Sequence, residues 1–213
     1  MPRGGKRQPP EISSGSMADI AFLLLIFFLV TTTIANDKGI AMLLPPPPDP
    51  NQPEIDIKIP ERNIFKILAN SQDKMLVENE PYTGSMEELK EDVKKFVLNF
   101  GEPSAEGIEV YNSLPPSLKT FVNQNGKNPE SSDDPTSGNA VVSFKAARGT
   151  SYELYIQILD AVTAAYNEIY AERVGITVDE WLALDRDDDI QKDMYDRSRQ
   201  GIPKAISIAE PDK

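Results

Sequence analysis

The chain has 213 residues, 34 acidic against 22 basic, a formal net charge of −12, and no Cys or His. A nucleic-acid binder needs clustered Lys and Arg against phosphates, so this balance argues against one. The missing Cys and His remove disulfides, thiolate nucleophiles, the usual zinc ligands and the commonest general base. With 26% charged residues the chain is mainly aqueous, and membrane character is confined to one stretch.

Residues 1–15 carry Pro2, Gly4, Gly5, Pro9 and Pro10 beside Arg3, Lys6 and Arg7, a composition that forms no core and reads as a short tail. Ser13, Ser14 or Ser16 can cap the helix that follows. The stretch from Ser16 to Ala35, SMADIAFLLLIFFLVTTTIA, is almost unbroken apolar sequence. A helix from Met17 to Ala35 reaches about 28 Å, close to the hydrocarbon layer of about 30 Å, so residues 16–36 are expected to span a bilayer once. Basic residues precede the span, which puts the N-terminus in the cytoplasm. The alternative is a cleaved signal peptide ahead of a secreted acidic binding domain, with an apolar core from Ile20 to Val30 and Thr33-Ile34-Ala35 as the cleavage site. The long basic region and the carboxylate abutting the apolar core favour an anchor.

That carboxylate is Asp19, and an ionisable group inside a span costs about 2.5 to 3.5 kcal/mol, which makes it a candidate functional group. The helical angle puts Phe22, Leu23, Ile26, Val30 and Thr33 on its face, a stripe suited to another helix. An apolar contact favours the neutral carboxyl and water the carboxylate, so Asp19 is suited to taking up and releasing protons. Placed at headgroup level instead, it would do nothing.

Pro45 to Pro48, Pro50 and Pro53 make residues 37–54 an extended, semi-rigid linker. Ile55, Ile57 and Ile59 alternate as a strand does, and Ile64 to Leu68 with Met75 to Glu78 read as two more strands around an Asn70 to Asp73 turn. Ser85 with Glu88 forms a capping box that opens a helix to about Asn99. Residues 101–139 are rich in Pro, Ser, Asn, Asp and Gly and are expected to be a flexible insertion, with a short helix over Leu114 to Val122. A strand from Ala140 to Lys145 precedes a second capping box, Thr150 with Glu153. It opens a long helix with Tyr155, Leu159, Val162, Tyr166 and Ile169 on one stripe. A third box, Thr177 with Glu180, opens a short segment at Trp181 to Leu184. A charged run to Gln200 and a closing strand, Ala205 to Ile208, follow. Residues 55–210 are thus expected to form a small α+β domain, a mixed sheet with about two main helices.

Asp185, Asp187 and Asp189 imitate the start of a calcium loop, but Ile190 stands where the loop needs Gly, so a solvated acidic run is expected and no metal site. Gly149-Thr150-Ser151 at a helix start reads as ordinary capping rather than an anion site. No phosphate loop, serine nucleophile motif or carboxylate pair appears, so no enzyme and no cofactor are expected.

The stretch EISSGSMADIAFLLLIFFLVTTTI resembles the single membrane helix of the ExbD/TolR family of bacterial inner-membrane energy-coupling proteins. Val141 to Ala146, the helix after Ser151 and Lys204 to Ile208 resemble the second half of that family's periplasmic domain. The family commonly has Pro where this chain has Ser16. The resemblance implies a cytoplasmic N-terminus, one span and a periplasmic domain. It also implies a homodimer of such helices inside an ExbB/TolQ-like ring-forming protein, with Asp19 as the proton carrier. The motion would pass to a TonB-like protein in the ExbD case, or serve envelope integrity through peptidoglycan in the TolR case. A MotB-like wall-binding motif is not seen.

Overall fold

The computed structural model describes residues 14–31 and 59–209, and the chain divides into two compact units, Met1–Pro47 and Pro48–Lys213. In the first unit α1 (Ser14–Thr31) is a helix of 18 residues, about 27 Å long. Its apolar side chains point in every direction, and Ile20, Phe22, Leu25, Phe27 and Phe28 are all exposed. Among the described residues no helix is long and apolar enough to cross a membrane. The span expected over 16–36 runs past Thr31 into residues that lie outside those described, as do the linker 37–54 and the strand expected at Ile55, except that Ile59 is in no strand.

The second unit begins with a 3-10 turn, Glu61–Asn63, that leads into β1 (Ile64–Ala69). Alternate residues Phe65, Ile67 and Ala69 of β1 are buried, the period of a sheet packed on one face. Asn70 then closes the turn, its Oδ1 accepting from the Gln72 and Lys74 amides, and β2 (Met75–Val77) returns antiparallel to β1. A strand not expected from sequence, β3 (Glu80–Tyr82), pairs antiparallel with β2 at the sheet edge. Its centre is Pro81, which has no amide to donate and is tolerated only at such an edge.

Helix α2 (Met86–Val97) starts at the expected capping box, with Glu88 N donating to Ser85 Oγ and Ser85 N to Glu88 Oε2. β4 (Val141–Ala146) lies parallel to β1 from Ile64↔Val141 to Ala69↔Ala146, and β5 (Ile206–Ala209) lies parallel to β4. The sheet order is β3-β2-β1-β4-β5, mixed as expected. α2 and α5 (Tyr152–Val174) pack side by side, and the core consists of Phe65, Ile67, Val142 and Phe144 from the sheet with Leu89, Val93, Ile158, Val162 and Ile169 from these helices. Each fully buried aliphatic side chain contributes about 1.5 to 3 kcal/mol.

Two expectations are corrected, and one segment read only as charged proves to be helical. The insertion 101–139 is folded rather than flexible: it holds α3 (Ala105–Ser113) and α4 (Pro116–Asn125) and buries Val110, Leu118 and Val122. The second capping box does not form, because Ser151 caps α5 by accepting from Leu154 N while Thr150 Oγ1 donates to the carbonyl of Asn70 instead. The charged run before Gln200 contains α7 (Asp189–Arg199), capped by Asp188, after the short α6 (Val178–Leu182) whose Thr177 and Glu180 form the expected box.

What fastens the insertion is a set of buried polar groups. Asn99 Nδ2 donates to the carbonyls of Asn128 (2.9 Å) and Ser132, while Asn128 N donates to Asn99 Oδ1 (2.8 Å). Asp134, fully buried, accepts from Ser104 N (2.8 Å), Thr136 N (2.8 Å) and the Thr136 hydroxyl. Burial pushes the Asp134 carboxyl up, but the hydrogen bonds from Thr136 and Ser104 outweigh it and hold the group below its ordinary range. Ser, Asn and Asp are frequent here because they satisfy backbone, and the segment's loop-like composition is a consequence of that work.

Candidate functional site

Asp19 stands in the first half of α1 and is exposed, as are Phe22, Leu23 and Ile26 at 61%, 59% and 42%. Helical rotation places Phe22, Leu23 and Ile26 on the same face as Asp19; the side chain of Val30 and the whole of Thr33 lie outside what the structure describes. Asp19 is the one carboxylate between Ser14 and Thr31, on a helix with no polar side to turn toward solvent. A helix that is apolar all round belongs inside a larger core or in lipid, because exposed apolar area costs about 25 cal/mol per Å².

The other sequence candidates are explained by local structure. At the start of α5, Ser151 N donates to Asp73 Oδ1 at 2.8 Å, so the chain's own carboxylate occupies the position an anion would take. Asp185 Oδ1 accepts from Asp187 N, and Asp188 Oδ1 accepts from Ile190 N and Gln191 N as the cap of α7. No group of three or more acidic side chains among the described residues is placed to hold a metal.

Two features escaped sequence reasoning. Tyr170, Trp181 and Tyr195 form an aromatic column with ring centroids 5.4 Å apart at each step, Trp181 Nε1 donates to Ser198 Oγ (3.0 Å), and the Arg186 and Arg199 guanidiniums lie over the Tyr195 ring. Burial pushes the Tyr170 hydroxyl up to about 12, although the Arg199 charge opposes it. The second is a cavity of about 500 Å³ between α3, the end of α5 and the end of α7. Arg173 faces it, donating through Nη1 to the carbonyls of Ser198 (3.0 Å) and Gln200 (2.6 Å) and through Nη2 to Ser113 Oγ (3.2 Å). Gly201, at φ +71°, brings the end of α7 so close to α3 that a Cβ there would sit 2.4 Å from Val110 Cγ2. No local pattern announces either feature, because each is assembled from segments far apart in sequence.

The family model described as Biopolymer transport protein ExbD/TolR matches residues 5–178, from the tail through α1 to the first residue of α6. No curated protein and no solved structure matches the chain. α7 and β5 lie beyond the matched residues.

Proposed function

The chain belongs to the ExbD/TolR family, and on that premise we propose that it is the single-span inner-membrane subunit of an ExbB-ExbD-type proton channel coupling the proton motive force to TonB-dependent outer-membrane transport. The observation that carries this reading is Asp19, a lone carboxylate on a helix apolar on all sides. Two copies of α1 sit inside an ExbB/TolQ-like ring, with Phe22, Leu23, Ile26, Val30 and Thr33 forming the contact face. The tail is cytoplasmic and the α+β unit periplasmic.

In this mechanism a proton enters from the periplasmic side and neutralises Asp19, which lets the helix face an apolar part of the ring. Release to the cytoplasm restores the charge and makes that contact unfavourable, so the pair must turn or rock. A proton crossing 100 mV supplies about 2.3 kcal/mol per step. The linker and the α+β unit carry the motion outward to a TonB-like protein. In this reading the chain acts by moving protons and partners rather than through a catalytic cycle of its own.

Asp19→Asn tests the reading: assembly with the ring protein is retained and energised uptake across the outer membrane is lost, whereas normal uptake in this variant overturns it. Capture of the full chain's partners separates the two branches of the family. Retention of a TonB-like protein supports the ExbD role, and retention of peptidoglycan without it moves the assignment to a TolR-like tether.

A further inference from the structure

We propose that the cavity between α3, α5 and α7 binds a small zwitterion, a molecule with one carboxylate and one ammonium group, of the amino-acid or short-peptide class. The inference is independent of the proton channel and concerns residues that reading leaves unused.

The cavity, about 500 Å³, is of a size that holds small ligands. Its walls carry opposite charges that do not meet. On one side stand Arg173 and Arg197 with Gln200; on the other, Glu106 and Glu109 of α3. Among the described residues no carboxylate is ion-paired with Arg173, and neither the Glu106 nor the Glu109 side chain has an ion pair or a hydrogen bond, whereas Arg197 Nε pairs with Asp193 Oδ2 of its own helix at 3.0 Å. Arg173 is fixed by its bonds to Ser113, Ser198 and Gln200. Those bonds use three of the N–H groups of the guanidinium and leave the others for an acceptor in the cavity.

An anion alone would meet Glu106 and Glu109, and a cation alone would meet the two arginines. A zwitterion satisfies both walls, its carboxylate on Arg173 by charge-assisted hydrogen bonds and its ammonium between the two glutamates. The walls come from α3 and α7, and Arg173 of α5 joins them.

The test uses the full chain in detergent and titration calorimetry with three probes: diglycine, N-acetyl-diglycine, which lacks the ammonium, and diglycine amide, which lacks the carboxylate. Diglycine is expected to bind saturably and each capped probe about tenfold more weakly or worse, the loss of one charged hydrogen-bonded contact. Arg173→Lys can loosen the packing, so the deciding variants are the exposed Glu109→Gln and Arg197→Gln. Each is expected to weaken diglycine about tenfold with the melting temperature unchanged. Absence of saturable binding at millimolar diglycine, equal binding of the three probes, or undiminished binding by both variants overturns the proposal. Energised uptake is not part of the readout, so failure here leaves the channel reading standing.

Discussion

The two units of this chain use side chains in opposite ways. In α1 the large apolar residues from Ile20 to Phe28 are exposed and the lone acid stands among them, whereas the α+β unit hides its apolar residues and gives its buried acid, Asp134, several donors. The described helix of the first unit leaves its apolar side chains uncovered, whereas the second buries its own. On the proposed reading the charge in the first serves proton transfer, whereas the buried Asp134 of the second serves stability.

Substitutions break that contrast in order of size. Asp19→Asn should abolish energised uptake while leaving the thermal melt of the α+β unit unchanged; a shifted melt would mean that α1 and the domain are not energetically separate. Trp181→Ala, which empties the centre of the aromatic column, should cost about 3 to 5 kcal/mol by urea denaturation. Asp134→Ala should cost about 3 kcal/mol by leaving the Ser104 and Thr136 donors unmatched.

The pH dependence of that last effect has a definite sign. The folded Asp134 carboxyl lies below its unfolded value of about 3.9, so its contribution is fully present above about pH 4 and is lost as pH falls through the lower folded value. Denaturation midpoints of wild type and Asp134→Asn measured from neutral pH downward should converge on acidification; midpoints that stay parallel would count against it. At the small end, Ser85→Ala should cost about 1 kcal/mol by removing the cap of α2.

The parts legible in sequence were those with a strong local signal. Ile64 to Leu68, Met75 to Val77 and the Ser85 box declare themselves by period and capping, and Pro115-Pro116 correctly opens a helix, since proline is at home in the first turn. β3 was hidden because Pro81 interrupts the strand pattern. α3 was hidden because Gly107 reads as a helix breaker, whereas in the fold a Cβ at that position would lie 2.4 Å from Asp134 Oδ2, so the glycine is what lets the buried acid approach the helix. Thr150 was misread because its partner, the carbonyl of Asn70, is remote in sequence. Asp19 stands out in the sequence itself, since a carboxylate in an apolar run needs no tertiary information to be noticed. The cavity at Arg173 does not, because three separate helices must be placed before it exists.

The position of β5 has a consequence for how the protein is made. β4 is flanked by β1 and β5, and β5 follows every other element of the sheet in the chain. As the chain is delivered from its N-terminus, the domain therefore passes through a stage in which one side of β4 offers unpaired backbone groups, and that stage lasts until residues 206–209 reach the compartment where the domain folds.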